Sequence, residues 1–141
     1  MAGLKHIEHC VGAYIAGRYK NPVEAGIGNN PGAALLIHEQ GIPVRAVDIR
    51  AVTPPAGIRF SHDDIFSPDL SLYAGADVIY AIRPAEEMIP PLIALAEKIN
   101  CDLVVYHLGF EGYGDGGEVV DCGVPLHYYR RRTKKIPSKE C

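Results

Sequence analysis

An acid, two spaced glycines and two asparagines stand together in Val23-Glu24-Ala25-Gly26-Ile27-Gly28-Asn29-Asn30-Pro31-Gly32. A glycine carries no Cβ, so a turn built on Gly26 and Gly28, with Asn29 beside them, lets a ligand lie against main-chain N–H groups. Asn30 offers a side-chain oxygen as a helix N-cap, and Pro31 falls where its missing N–H is harmless. A helix is therefore expected to start there, with its positive dipole end toward the ligand. Glu24 limits what the ligand can be. A dinucleotide fingerprint needs G-x-G-x-x-G to lay pyrophosphate on the helix N-terminus, and a carboxylate beside that turn repels phosphates. Position 31 is proline, and the third glycine arrives one residue late, at Gly32. Gly26 and Gly28 also suit a plain strand-to-helix turn with no ligand.

Further along stand other groups able to do chemistry. Asp48 follows Glu24 by 24 residues at the end of an apolar run, close to where an α/β nucleotide site sets an acid against ribose hydroxyls. Asp63 and Asp64 end the next run, where they can face a ligand or cap a turn. Tyr80, Arg83 and Glu86 follow a fourth run: Arg83 can orient an anionic acceptor by bidentate contact, and Glu86 can take a proton. Glu86 and Glu87 equally suit the first turn of a helix, where acids favour the dipole. His6, His9 and Cys10 complete no four-ligand set, so no metal site is expected.

The elements that must position these groups alternate. Leu4, Ile7, Val11 and Ile15 mark a helix over 4–19, followed by a short strand to Glu24 and a helix over 31–40 that Gly41 closes in a left-handed cap. Strands are expected over 44–48, 58–62 and 78–82, the last beside the first. Pro90-Pro91 breaks the chain between a helical turn at 85–89 and a helix from about 91. Another strand covers 103–107. Gly109, Gly112, Gly114, Gly116 and Gly117 then crowd a loop, either a lid or a linker, before a hairpin of 118–122 and 126–130 with Pro125 at an edge or turn. Such alternation predicts an α/β, Rossmann-like three-layer αβα fold: a mostly parallel sheet with right-handed crossovers and a C-terminal antiparallel hairpin.

A chain of 141 residues is one ordinary domain, here 1–132, followed by a basic, flexible tail over 133–141. Hydrophobic residues at 48% and charged residues at 22% fit a soluble globular protein. No apolar run is long enough for a membrane span, and no signal peptide is visible. Four scattered cysteines without a C-x-x-C pair favour reduced thiols and a cytoplasmic location. The net charge of −3 is uneven, because Arg130, Arg131, Arg132, Lys134, Lys135 and Lys139 leave eight basic against sixteen acidic residues in 1–129. That excludes a nucleic-acid surface spread over the body, while the tail can still touch RNA or an acidic partner.

The order Glu24-x-Gly26-x-Gly28 resembles the first motif of the S-adenosylmethionine-dependent methyltransferases, departing from their commonest form at Asn30, where a third glycine is usual. Together with Asp48, Asp63-Asp64-Ile65-Phe66 and Ile79-Tyr80-Ala81-Ile82-Arg83-Pro84-Ala85-Glu86-Glu87, it resembles a small archaeal family whose fold looks like a shortened methyltransferase core. The likeness covers most of 10–108. It implies S-adenosylmethionine as cofactor, Glu24 near its cationic amino-acid end, Asp48 on the ribose and Asp63 or Asp64 near the adenine. The fourth strand carries no N-P-P-Y sequence to hold an amine acceptor. Two other functions compete: a nucleotide- or dinucleotide-binding oxidoreductase module, and a non-catalytic interaction protein, dimeric and using its basic tail.

Overall fold

The computed structural model describes residues 2–107 and 113–132, with side chains from residue 6 onward. Helix α1 (Ala2–Arg18) precedes strand β1 (Pro22–Ala25), helix α2 (Gly32–Glu39), β2 (Val44–Asp48), β3 (Ile58–His62) and β4 (Val78–Ile82). Helix α3 (Ile89–Ile99), β5 (Asp102–Tyr106), β6 (Glu118–Asp121) and β7 (Pro125–Arg130) complete the chain, with 3₁₀ turns at Leu70–Tyr73 and Glu86–Met88. The sheet has seven strands in the order β3-β2-β1-β4-β5-β7-β6. The first five are mutually parallel, as in doubly wound α/β folds.

Successive strand residues face opposite sides, and the core divides accordingly. Val78 and Tyr80 pack with Val11, Ile15, Ala33 and Ile37 beneath α1 and α2. Ile79 and Ala81 pack with Leu92, Leu95 and Leu103 beneath α3. The fold is thus α/β in three layers. Gly12 allows α1 to lie tightly on α2, since a Cβ there would stand 2.9 Å from the Ala33 carbonyl oxygen. Pro90 and Pro91 fall in the first turn of α3, where no intrahelical N–H is needed, so the 3₁₀ turn runs straight into the helix.

Two expectations shift. Helix α2 starts at Gly32 rather than 31, and Asn30 is no formal N-cap: its Oδ1 accepts from the Gly32 N–H at 3.3 Å while its Nδ2 donates to Glu8. The hairpin finishes the sheet antiparallel, as expected, with β7 as its inner strand between β5 and β6. Pro125 begins that inner strand. Finally, the start of the basic segment belongs to the fold. Arg130 donates to the carbonyl of Cys101, Arg131 pairs with Glu118 and lies over the Tyr128 ring, and the Arg132 N–H donates to Asp102. The tail over 133–141 and the glycine loop at 108–112 lie outside the described residues.

At the amino edge of β5 the hydroxyls of Tyr14, Tyr19 and Tyr128 join in a buried cluster that ends on Asp102. It ties α1 to β5 and β7. Leu92, fully buried, is the centre of the α3 contact. Leu92→Ala is expected to lower stability by about 2–5 kcal/mol, the usual range for emptying such a site. Urea unfolding should show a lower midpoint with an unchanged slope.

Candidate functional site

Between β1 and β4 the strand order reverses, and there the loops leaving β1, β2, β3 and β4 enclose a cleft of about 290 Å3. This is the carboxyl edge, where open α/β sheets hold ligands. Gly26, Asp48, Asp63, Asp64 and Arg83 are all on its walls. These five come from four separate loops.

The glycine turn is built differently from the expectation. Gly26 has φ 76° and Gly28 φ 53°, conformations that disfavour a Cβ. The N–H groups of Gly26 and Ile27 both donate to the Val47 carbonyl, at 2.8 and 3.3 Å. The Gly28 N–H donates to Asp48 Oδ2 at 2.7 Å. Three consecutive donors are therefore consumed by the protein, and none is left for a phosphate.

Asp48 also accepts from the Arg50 N–H at 2.9 Å through Oδ1, with the Arg50 Nε 3.5 Å away. A carboxylate has about four lone-pair positions, so acceptor capacity remains toward the cleft. Asp63 is committed: Oδ1 takes the Asp69 N–H and Oδ2 the Tyr73 hydroxyl at 2.5 Å, which fixes the 3₁₀ turn. Burial, and then the Asp63 bond, push the Tyr73 hydroxyl pKa up. Asp64 closes a short turn on the Phe66 N–H at 3.0 Å and is only half-buried. Ile49 and Phe66, 60% and 59% exposed, stand on the cleft walls as bare apolar surfaces.

Arg83 is the only described non-glycine residue besides Asn100 with a positive φ, 55°. Its N–H holds the Tyr106 carbonyl at 2.7 Å, and its Nη1 pairs with Glu8 at 3.1 Å. Its Nη2 is buried without a hydrogen-bond partner, the sole such side-chain atom found among the described residues. A buried donor left unpaired is a place for an acceptor from outside.

Glu24 and Tyr80 sit elsewhere. They are register partners on β1 and β4, both essentially fully buried, and the Tyr80 hydroxyl donates to Glu24 Oε1 at 3.0 Å. Neither is on the cleft wall. Burial pushes the Glu24 carboxyl up to about 8, the Tyr80 bond works against that rise, and the Glu8 charge adds to it. Gly28 and Asn29 line an adjoining groove with Pro31 and Val52. Glu86 is exposed on its 3₁₀ turn, outside the cleft, and its charge reaches Tyr129. Among the described residues no three His, Cys, Asp or Glu side chains group as metal ligands. Sequence reading missed Glu8, Ile49 and Phe66. The signal for Ile49 was an apolar residue directly after a strand-ending acid.

A profile of the Uncharacterised protein family (UPF0146) matches residues 10–119. The chain belongs to that family. A relative in the archaeon Archaeoglobus fulgidus, a UPF0146 protein, is 36% identical over 103 residues, covering 72% of this chain and 76% of its own. Among solved structures, an RNA methyltransferase from Salinibacter ruber in complex with S-adenosyl-L-homocysteine superposes with a TM-score of 0.61 at 12% identity, over 93% of each chain. The CcbJ methyltransferase from Streptomyces caelestis superposes at 0.54 with 15% identity over 71% of this chain. The chain spans about half of that protein, 51%. The shared feature is the Rossmann-like α/β fold. No described helix is long and apolar enough to cross a membrane.

The Glu24 carboxyl makes stability pH-dependent in a direction opposite to that of a salt-bridged acid. Its folded pKa lies above the unfolded value, so as pH rises from about 4.5 toward 8 the unfolded chain ionises first and stability falls. Glu24→Gln should remove that slope and leave the variant more stable than the parent near pH 8, by a few kcal/mol. Denaturant midpoints measured from pH 4.5 to 8.5 in both proteins check it.

Proposed function

We propose that the carboxyl-edge cleft binds S-adenosylmethionine and that the protein is a methyltransferase-like domain. The observation that carries this reading is the charge pattern of the site: three carboxylates, two arginines and a glycine turn with its N–H groups already used. A pyrophosphate would find acids in place of donors, which weighs against the dinucleotide alternative. A ligand with hydroxyls, an exocyclic amine and a zwitterionic tail finds partners.

In this reading Asp48 accepts the ribose hydroxyls with its remaining lone pairs, and the purine lies between the apolar faces of Ile49 and Phe66. Asp64, less committed than Asp63, accepts from the exocyclic amine. Arg83 offers Nη2 to the carboxylate of the amino-acid tail, which satisfies the one orphaned donor. Gly26 keeps the first turn free of a side chain. Glu24 acts from behind: with Tyr80 it fills the space under the turn.

When bound, the cofactor supplies a sulfonium methyl group open to in-line displacement. What the chain itself must do is alignment, since a base is needed only where an acceptor must lose a proton. Tyr80 is sealed from any acceptor, so of the three residues first considered for catalysis Arg83 alone adjoins the cleft.

Calorimetry with S-adenosylmethionine and S-adenosylhomocysteine tests the reading. Binding of both is expected, weakened about tenfold or more by Asp48→Asn and about fivefold or more by Phe66→Ala, in keeping with one lost charged hydrogen bond and one lost stacking surface. Absence of heat for either ligand on protein that melts cooperatively would end it.

A further inference from the structure

At the opposite, amino edge of the sheet, Arg45 and Arg59 are direct register partners on the parallel strands β2 and β3. Their neighbours Val44, Ala46, Ile58 and Phe60 all pack toward α1 and α2. Both arginines therefore point to the other face. Side chains in register on adjacent strands start about 5 Å apart, and like charges so placed repel. Neither arginine has an ion-pair partner among the described residues, where the ion pairs within 4 Å involve Arg50, Arg83 and Arg131. Asp77, the acid whose charge acts on Arg45, has its carboxylate turned to the N–H groups of Lys20 and Asn21.

The two guanidiniums are also placed rather than loose. Arg45 is half-buried and its Nη1 donates to the Leu72 carbonyl at 3.1 Å, which holds the side chain in one position. Arg59 is exposed. Between them and the loops at Gly57 and Gly75 lies a cleft of about 380 Å3 that shares no wall residue with the one at the carboxyl edge. A Cβ at Gly75 would meet nothing within 4 Å, so main chain there is open to approach.

The geometry points to a second ligand site: Arg45 and Arg59 form a two-pronged seat for a phosphate group. Two forks side by side, one anchored and one free to swing, match the oxygens of a tetrahedral dianion or of a phosphodiester, and bringing in negative charge converts their mutual repulsion into attraction. A net acidic chain that sets two arginines in register, with neither in an ion pair among the described residues, keeps that seat for an external anion. This site stands independently of the methyltransferase reading.

The test is a titration of isotope-labelled full-length protein with inorganic phosphate at constant ionic strength, followed by magnetic resonance of the arginine Nε–H groups and the Gly57 and Gly75 amides. Saturable shifts at Arg45, Arg59 and Gly75 are expected, with affinity reduced about tenfold or more in Arg59→Gln, the usual effect of losing a charge-assisted hydrogen bond. Arg59 is exposed, so the variant should keep the parent spectrum elsewhere. Arg59→Lys should fall between the two. A parallel titration with a single-stranded oligoribonucleotide separates the sources: displacement of phosphate assigns the seat to a backbone phosphodiester, and no competition assigns it to a free phosphate or phosphomonoester. Shifts that do not saturate, or that are the same in Arg59→Gln, would overturn the site.

Discussion

The organisation of the ligand edge rests on one buried carboxyl. Glu24 lies in β1, an interior strand of the sheet, with both neighbours, Val23 and Ala25, packed into the opposite face. A charged acid cannot remain there at acceptable energy, so it is held neutral over most of the physiological range and given a hydroxyl partner. Tyr80 supplies that partner because register places it directly alongside on β4. Glu8, brought in by α1, is a second buried acid, and it is the one answered by Arg83 and by the amide of Asn30. A single set of polar contacts thus joins α1, the segment before α2, and the end of β4. Of these pieces the end of β4 reaches the cleft wall, at Arg83.

From this constraint the character of the cleft follows. With Glu24 withdrawn, the acid that faces a ligand is Asp48, and the turn closes on Asp48 and Val47 instead of opening toward solvent. The N–H groups of Gly26, Ile27 and Gly28, which would favour an anion, are spent. The positive charge that remains comes from side chains at the rim, Arg50 and Arg83, of which Arg83 is held on one side by Glu8 and left with a free donor on the other. The result is a site of mixed charge, suited to a zwitterion more than to a phosphate chain.

Much of this was legible from residue order. Alternating apolar runs and turn residues set the five parallel strands, and the acids at 48, 63 and 64 fell at the carboxyl edge because strand ends do. The direction of Glu24 was not legible. A strand of four residues buried on both faces shows no alternation, so nothing local says which side position 24 faces. Its partner Tyr80 lies 56 residues away and meets it only through the pairing of β1 with β4. The same limit applies to β7. Its hairpin with β6 is a local matter, while its insertion against β5 depends on long-range packing of Leu126 and Tyr128 with Val104. The first arginines of the basic segment read as tail because charge runs usually do; their stems and heads are in fact used on Cys101, Glu118 and Tyr128.

Unfavourable features gather around the carboxyl-edge cleft. A carboxyl is held far from its ordinary pKa, a non-glycine residue takes a left-handed conformation, and a guanidinium nitrogen is buried without a partner. Each costs on the order of 1 kcal/mol or more, against a total stability of about 5–15 kcal/mol for a domain of this kind. A glycine at 83 would relieve the last two, whereas a hydrophobic residue at 24 would leave the buried Tyr80 hydroxyl without its partner. Local rules that a sequence breaks at one place, while keeping them everywhere else, point to that place as the one shaped by something other than folding. Here two of the broken rules meet at Arg83, on the cleft wall beside the reversal of strand order, while the third, at Glu24, is buried in β1 away from that wall.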